Sequence, residues 1–375
     1  MKRLANFCVA CAVALLAVGL ATGASAQVKH KIFLSMSYIG NDWQAEASNM
    51  VKAMAAHPNY ADRVDLRVQV AGPNTERQIQ HIDAMVEAGA DAIVIFPISA
   101  TALDEVVRKA CERGITVIAY DSEISEPCAY SIHIDQYAAG RVIAEWLVDK
   151  LDGKGNVVMV TGVPDNSVDD QRNAGAKDVF AKHPGINIVA EAVGMWSEVV
   201  GRSELEKILK TRSWDDIDGL WMQAGCYSAN AMQLEAGRTT EDLLPCAGEG
   251  SNGGRVQMLP VGTEVEGADC PYCPMSAPRI SFASPPFSGA LALKRAVEIL
   301  EGKEVPKETI LPLPLVTSKT IKLCETGSWA EMHDGCNAFP PVFVPNPGWF
   351  ASIYSPETPE VGMSAALVGQ PELGW

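Results

Sequence analysis

The feature that most constrains the fold of this 375-residue chain is a repeated alternation of short β-branched runs with helical patterns. Five such runs come first, at residues 31–36, 64–70, 91–97, 115–121 and 131–134, and helical patterns lie between them at 42–56, 75–88 and 101–112. Glycines such as Gly89 and Gly114 mark helix ends, where the backbone turns left-handed. Near-continuous apolar strands alternating with helices are typical of a parallel sheet whose two faces are both covered.

The same alternation restarts after residue 136. Helical patterns at 137–151, 167–182, 203–211 and 227–236 separate apolar runs at 156–162, 186–194, 218–225 and 243–250. Two consecutive arrays of similar size predict an α/β protein with two doubly wound, Rossmann-like parallel-sheet lobes. Ligands bind such sheets at the carboxyl ends of the strands, so the residues that follow each strand are the candidates for a site.

The first 26 residues have the composition of an export signal. Lys2 and Arg3 precede an apolar stretch, and Ala-Ser-Ala before Gln27 forms a small-residue cleavage site. The apolar stretch is too short to span a bilayer comfortably, and the cleavage site is not followed by the cysteine of a lipid anchor. We expect a mature chain that begins near Gln27 and resides in the periplasm.

The net charge limits which kinds of partner the mature chain can bind. Removing residues 1–26 takes away Lys2 and Arg3 and no acidic residue, so the formal net charge moves from -16 to about -18. Such an acidic chain is repelled by nucleic acid and by anionic membranes. About 349 residues remain, which is more than one hydrophobic core usually holds and agrees with two lobes.

Eight cysteines follow the predicted signal, an even number that is typical of disulfides in an oxidising compartment. Proximity favours the pairs Cys324–Cys336 and Cys226–Cys246, while the full connectivity stays open. The Cys270-Pro-Tyr-Cys273 stretch has the spacing of a redox motif or of half a metal site, but it lacks the context of either. None of the six histidines has a ligand-like partner three or four positions away, so we expect no metal site and no cofactor.

Aromatic, carboxylate and amide side chains follow most of the predicted strands. The first such turn, at 34–43, lacks the glycines of a phosphate loop and carries a tryptophan instead. Aromatic faces cover the apolar side of a sugar ring, and charged or amide groups bind several hydroxyls at once. This pattern favours a neutral polyhydroxylated ligand. The candidate ligand-binding residues are Ser35, Asn41, Asp42, Trp43, Ser99, Asp121, Arg172, Trp196, Gln223, Glu249 and Asn252.

Each candidate also has a purely structural interpretation. Asp42 could serve only the dipole of its helix, and Arg172 could pair with Asp169 or Asp170 on its own helix. Trp43 and Trp196 could be core residues, although both follow polar stretches. We favour a site role for the two tryptophans, while the alternatives for Asp42 and Arg172 stay open. We also favour a site role for Asp121, because a carboxylate that ends a buried strand needs a partner.

Several segments in matching order make residues 31–318 resemble the ribose/galactose type of periplasmic solute-binding protein, the sugar receptor of ABC importers. The segments are IFLSMSYIGNDWQAEA, GADAIVIFPISATALDEVVRKACERGITVIAYDSE, HIDQYAAGRVIAEWLV, GVPDNSVDDQRNAGAKDVFAKHPGINIVAE and FSGALALKRAVEILEGKEVP. The resemblance implies two lobes joined by three crossing segments. The expected N-terminal lobe is 28–135 plus 285–312, and the expected C-terminal lobe is 136–284 plus 313–320.

The resemblance also implies roles for particular residues. Trp43 and Trp196 match positions where aromatic rings sandwich the sugar. Asp121 and Arg172 match charged residues that bind hydroxyls, and the polar first loop of the family is matched by Ser35 and Asn41. Where the family has an Arg, an Asn-Asp pair and an Asp, this chain has Ser122, Ala224-Gly225 and the stretch GEGSNG. The loss of these charges favours a sugar other than ribose, a polyol or a related small polar ligand.

Two segments are additions to the family pattern. Residues 261–279 form an insertion, and residues 321–375 extend past the usual end and carry Cys324 and Cys336. Both lack helical or strand periodicity, so we expect ordered decoration stapled by disulfides, with roughly the last dozen residues loose.

We therefore expect a monomeric binding protein, rather than an enzyme, that captures a sugar or polyol by hinge closure and delivers it to a membrane permease of an ABC importer. Two alternatives stay open. One is an exported carbohydrate-active enzyme that uses Asp121 and Glu249 as paired carboxylates. The other is a sugar receptor for chemotaxis or signalling.

Overall fold

A computed structural model describes residues 29–372, and within that range the chain forms two β-sheets. The first sheet runs in the order β11 (Glu308–Ile310), β5 (Tyr130–His133), β4 (Thr116–Tyr120), β3 (Ala92–Phe96), β1 (His30–Met36) and β2 (Val64–Val70). The second runs β10 (Arg279–Phe282), β9 (Cys246–Glu249), β8 (Gly219–Met222), β6 (Lys154–Thr161) and β7 (Gly185–Val193). All neighbouring strands in both sheets are parallel, which confirms the predicted fold class.

Helices cover both faces of each sheet. The first lobe carries α1 (Asp42–Ala56), α2 (Pro58–Ala61), α3 (Thr75–Glu87), α4 (Asp104–Glu112) and α10 (Ser288–Leu300). The second lobe carries α5 (Gln136–Lys150), α6 (Ser167–Phe180), α7 (Glu198–Ile208), α8 (Cys226–Glu235) and α9 (Asn252–Met258). Two short helices follow in the C-terminal extension, α11 (Trp329–His333) and α12 (Met363–Val368).

The starts of two helices are set by side chains that cap their first turns. Helix α1 begins as predicted because the side chain of Asn41 accepts a hydrogen bond from the backbone N–H of Gln44. Helix α7 begins five residues before its predicted start, since Ser197 caps it through the N–H of Val200. The sequence pattern does not predict β10 and β11, because strands of four and three residues, respectively, show too little periodicity.

The chain passes between the lobes at residues 134–135, 283–287 and 311–316. The C-terminal extension then packs on the second lobe, where the side-chain amide of Asn252 binds the backbone N–H and C=O of Phe339. It returns to the first lobe at residues 346–350, and α12 packs on α1, where the side-chain amide of Asn49 donates to the carbonyl of Ala366. The extension therefore makes a fourth crossing between the lobes, so it connects the two lobes and does not only cover the surface.

One buried apolar cluster runs through both lobes and the extension. It contains Leu34 of the first sheet, Trp221 of the second, and Phe339, Ile353 and Ala365 of the extension. Removing a fully buried aromatic side chain typically costs about 3–5 kcal/mol, so the extension is an integral part of the folded protein. The expectation of a loose C-terminus is wrong up to residue 372, and residues 373–375 lie outside the described range.

The cysteines pair as Cys111–Cys128, Cys226–Cys246, Cys270–Cys273 and Cys324–Cys336. Both pairs predicted from proximity are confirmed, and the CPYC stretch is a disulfide inside the 261–279 insertion. The predicted signal peptide at 1–26 lies outside the described residues. In the part of the chain that is described, no helix has the length and apolar character needed to cross a membrane.

Candidate functional site

A narrow cavity of about 30 Å³ lies between the two lobes, at the carboxyl ends of the strands. It opens beside a wider cleft of about 700 Å³. The cavity is lined by Asn41, Trp43, Gln44, Phe96 and Asp121 from the first lobe, by Val168, Arg172, Trp196, Ala224 and Glu249 from the second, and by Phe350 from the extension. Three separate parts of the chain therefore build one site.

Trp43 forms an aromatic wall on the first lobe. It is the second residue of α1, two positions after the cap residue Asn41, and its indole N–H donates to the carbonyl of Ser284 at 2.8 Å. Its ring centroid lies 5.8 Å from that of Phe96 and 6.4 Å from that of Tyr120. The hydrogen bond and the two ring contacts hold the indole in one orientation, which is what a stacking surface for a ligand requires.

Arg172 is the electrostatic centre of the cavity. Its two Nη atoms donate to the two carboxylate oxygens of Glu249 at 3.0 and 3.1 Å, and its Nε donates to Gln136 at 2.8 Å. A fourth bond runs from Nη2 to the hydroxyl of Ser284 at 2.9 Å. The guanidinium also lies over the Phe282 ring at 4.8 Å. Arg172 therefore pairs with Glu249 at the end of β9 and not with a residue of its own helix α6.

Asp121 completes the charged group on the side of the first lobe. Its backbone is left-handed, with φ of 60°, and its Oδ1 accepts a hydrogen bond from Gln136 at 3.0 Å. Burial raises the pKa of Asp121 and of Glu249, and the positive charge of Arg172 opposes that rise for both carboxyls. Two carboxylates and one guanidinium leave the group with one net negative charge when all three are ionised.

Trp196 faces the cavity from the second lobe, after β7. Met195 and Trp196 both have left-handed backbones, with φ of 55° and 50°, a conformation that costs energy and is common at binding sites. The indole N–H donates to Gln223 Oε1 at 2.7 Å. A Cβ atom on Gly162 would lie 2.1 Å from Trp196 Nε1, so only glycine lets the indole come this close.

Five predicted residues are not among those that line the narrow cavity, and one of them, Asp42, lines the wider cleft instead. Gln223 instead positions Trp196, because its amide nitrogen is anchored by Asp169 Oδ1 at 2.7 Å. The hydroxyl of Ser35 accepts from Gln78, and that of Ser99 accepts from a backbone N–H of its own turn. Asn252 binds the extension, as described above. Their roles as direct ligand contacts stay untested predictions.

The extension contributes a wall that strand-end reasoning did not identify. The backbone N–H of Phe350 donates to Glu46 of α1 at 2.7 Å. On the other side, the N–H of Asn252 donates to the carbonyl of Trp349 at 2.5 Å. Asp42, which lines the wider cleft, accepts from the side chain of Asn346 at 2.7 Å. Both lobes thus hold the segment that carries Phe350.

The sequence analysis also did not predict several other residues in or beside the cavity, and only some of them follow a recognisable sequence pattern. Phe96 ends β3, so the strand-end rule could have included it. Ser284 sits in a crossing segment and Gln136 begins α5 directly after another, and nothing in the local pattern distinguishes them from other polar residues. The helical pattern of α1 predicted no role for Glu46. Its carboxyl is buried, and this burial raises its pKa well above the usual range.

The lining of the cavity offers groups that bind hydroxyls. Among the described residues that line it there is no serine, cysteine, histidine or lysine. The lining instead combines aromatic faces with a guanidinium, two carboxylates and two amides. Such a set binds hydroxyl groups through several charge-assisted hydrogen bonds.

Comparisons with known proteins agree with this geometry. Residues 32–304 match the family model described as a periplasmic binding protein domain. The chain is 29% identical to the xylitol-binding protein of Mycolicibacterium smegmatis over 48% of this chain and 52% of the relative. It is 26% identical to the galactofuranose-binding protein of Escherichia coli over 48% of this chain and 58% of that relative. The chain thus spans only about half the length of these curated relatives.

Solved structures show the same fold. An ABC transporter solute-binding protein from Thermobispora bispora superposes with a TM-score of 0.68 at 23% identity, covering 83% of this chain and 92% of that one. A galactofuranose-binding protein superposes with a TM-score of 0.66 at 22% identity, covering 78% of this chain and 95% of that one.

Proposed function

This chain belongs to the periplasmic binding protein family, and from that premise we propose that it captures a neutral sugar or polyol by closing its two lobes and delivers it to the permease of an ABC importer. The family and the curated relatives are binding proteins rather than enzymes, and the family and relatives such as the D-xylose-binding periplasmic protein of Escherichia coli are periplasmic, as expected for this chain. The relatives' own ligands, among them xylitol, galactofuranose, ribose and allose, define the chemical range to test.

The observation that carries the proposal is the arrangement of two tryptophans, one from each lobe, around a charged group of three. Trp43 and Trp196 offer flat apolar faces for the C–H side of a sugar ring. Between them, Asp121 and Glu249 accept hydrogen bonds from hydroxyl groups. Arg172 uses four of its five N–H donors inside the protein and keeps one for a hydroxyl oxygen. The net negative charge disfavours phosphorylated sugars and sugar acids.

The size of the cavity implies movement. Its volume of about 30 Å³ matches the share of one water molecule in the liquid, which is far less than a pentose occupies. The lobes or the Trp196 side chain must therefore move apart to admit a ligand through the wider cleft. Since a ligand contacts both lobes only when they close again, binding shifts the population toward the closed form.

The C-terminal extension restricts this movement of the lobes. Its fourth crossing is hydrogen-bonded to α1 on one lobe and to α9 on the other, so it limits how far the cleft opens. Phe350 adds an apolar surface beside the two tryptophans. A wall of this kind favours a compact ligand, such as a single pentose, hexose or polyol, over an oligosaccharide.

A ligand screen tests the proposal. Thermal-shift measurements on the chain without its predicted signal, against pentoses, hexoses and polyols, should give at least one compound that raises the melting temperature, because a ligand of the folded state stabilises it. Trp43→Ala should abolish that shift, while Trp146→Ala on α5, outside the cavity lining, should retain it. If no compound in the panel binds, or if Trp43→Ala binds the hit unchanged, the proposed site is wrong.

The remaining alternatives have separate readouts. Product formed from the hit sugar at catalytic protein concentration would replace the transport function with an enzymatic one. Uptake by membrane vesicles that contain the cognate permease would distinguish an importer component from a chemotaxis or signalling receptor. Size-exclusion chromatography with light scattering tests the proposed monomer.

A further inference from the structure

A second cluster of ligating side chains lies at the edge of the first lobe, apart from the cavity lining. Glu123 follows β4, His133 ends β5 and Glu308 begins β11. One ligand atom from each residue lies within 4.8 Å of those of the other two. His133 is buried, with 6% of its surface exposed, and Glu308 is at the surface. Nothing in the proposed sugar site accounts for this convergence.

The hydrogen bonds of His133 define which of its nitrogens carries a proton. Its Nδ1 lies 2.9 Å from the backbone carbonyl oxygen of Ile134, which can only accept, so Nδ1 is the donor. In the neutral ring, Nε2 therefore carries a lone pair. That lone pair faces carboxylate oxygens of Glu308 at 3.2 Å and of Glu123 at 3.4 Å. With that tautomer three electron-rich atoms converge, an arrangement that a bound cation would stabilise.

The distances suit a metal ion. A single N–H on Nε2 could point at one carboxylate oxygen only, and the contact to Glu308 at 3.2 Å lies at the long end of the hydrogen-bond range. A tetrahedral zinc ion with ligand distances of about 2.0–2.2 Å would separate neighbouring ligand atoms by about 3.4 Å. The two nitrogen–oxygen separations, 3.2 and 3.4 Å, agree with that spacing, and the two carboxylate oxygens lie within 4.8 Å of each other.

We propose that Glu123, His133 and Glu308 bind a zinc ion, with water as the fourth ligand. A mixed set of one imidazole and two carboxylates suits zinc, whereas calcium and magnesium prefer oxygen ligands throughout. Two of the ligands are oriented by further hydrogen bonds. Ile134 fixes the histidine tautomer, and the side-chain amide of Gln171 donates to the second oxygen of Glu123.

The site joins parts of the hinge. His133 directly precedes the first crossing between the lobes, and Glu308 precedes the third. Glu123 also contacts the second lobe, because its backbone N–H donates to the hydroxyl of Ser167 at 3.0 Å and its carboxylate accepts from Gln171, both on α6. Zinc would therefore hold the hinge strands together and favour the arrangement in which the lobes are in contact. This inference does not depend on the identity of the sugar.

Zinc titration of the tag-free chain, after chelator treatment and without sugar, tests the site. Isothermal titration calorimetry should give one Zn²⁺ per chain, with much weaker or no binding of Ca²⁺ and Mg²⁺. Glu308→Gln should weaken zinc binding about tenfold or more, the range for disturbing a metal site. Because Glu308 is exposed, this variant should remain folded. Glu304→Gln, an exposed residue in the preceding loop with the same charge change, should leave zinc affinity unchanged.

X-ray absorption at the zinc edge supplies a second readout. The expected spectrum has one imidazole and otherwise oxygen ligands, without sulfur. Absence of saturable zinc binding up to about 1 mM, a weak affinity by any standard, would overturn the proposal, as would equal affinity in Glu308→Gln. A protonated Nε2 in nitrogen NMR of His133 at neutral pH with zinc present would identify a simple ion pair instead.

Discussion

Arg172 and Glu249 lie 77 residues apart in the sequence and form a two-point ion pair inside the cleft, with nitrogen–oxygen distances of 3.0 and 3.1 Å. Both side chains are almost fully buried, with 2% and 7% of their surfaces exposed. The pair joins α6 to the end of β9, and Ser284 of a crossing segment binds both partners. The same groups that would bind hydroxyls thus also connect the second lobe to the hinge.

Removing one partner of this pair should be costly. Glu249→Gln leaves the buried Arg172 without its paired charge, and breaking a buried ion pair in this way typically costs about 3–5 kcal/mol. We expect a decrease of about 3 kcal/mol in the free energy of unfolding, measured by urea denaturation, together with loss of ligand binding. Glu191→Gln, which removes a carboxylate from an exposed ion pair with Lys177, is the control and should cost under about 1 kcal/mol. Equal costs in the two variants would contradict a desolvated pair.

Phe350→Ala should weaken ligand binding without unfolding the protein. The backbone hydrogen bond to Glu46 does not need the ring, so the extension should stay in place. Losing an apolar contact of this size costs about 1–3 kcal/mol of binding, or roughly 10- to 100-fold in affinity. Phe343→Ala changes the same residue type in the same extension, but away from the cavity lining, and calorimetry should show unchanged affinity. If both variants bind like the wild type, the extension is not a wall of the site.

Gly162→Ala should displace Trp196 by direct contact. The added methyl group would lie 2.1 Å from the indole nitrogen, a distance that real contacts do not allow. We expect ligand affinity to fall sharply and the tryptophan fluorescence to change, with secondary structure retained by circular dichroism. At Gly201 in α7 the nearest atom would be 3.5 Å away, so Gly201→Ala should bind normally. Normal binding by Gly162→Ala would show that Trp196 does not contact the ligand.

Asp169 should make the protein less stable as the pH rises toward neutrality. Burial raises the pKa of Asp169 to about 6, although hydrogen bonds from Gly162, Asn173 and Gln223 oppose the rise. Because this folded-state pKa lies above the unfolded value of 3.8, the folded protein binds more protons between the two values. The stabilisation is fully present below about pH 4 and is lost as the pH passes 6, by an amount on the order of 3 kcal/mol.

The measurement for Asp169 is a difference between two proteins. Urea denaturation of the wild type and of Asp169→Asn across pH 4 to 7 should show a slope in the wild type that the variant lacks. Asp165→Asn, at a neighbouring exposed carboxyl, should keep the wild-type slope. A carboxyl resonance of Asp169 that titrates near pH 4 by NMR would contradict the prediction.

Much of the fold could be predicted because its signals are local. The bounds of α1 and β2 agree with their predictions, since apolar periodicity and the Asn41 cap act within a few residues. The rule that ligands bind at strand ends also selected residues that lie together in the structure. Six of the eleven candidates line the narrow cavity between the lobes, namely Asn41, Trp43, Asp121, Arg172, Trp196 and Glu249.

The sequence by itself therefore determined the two parallel-sheet lobes and the strand ends at which a ligand would bind, because hydrogen-bonding pattern, apolar period and capping depend on near neighbours. Only the tertiary structure decided that Glu249 pairs with Arg172, that Phe350 of the extension reaches the cavity, and that Glu123, His133 and Glu308 converge. These are contacts between residues far apart along the chain. Their geometry depends on how complete lobes and the extension pack to bury apolar surface, which no short-range pattern encodes.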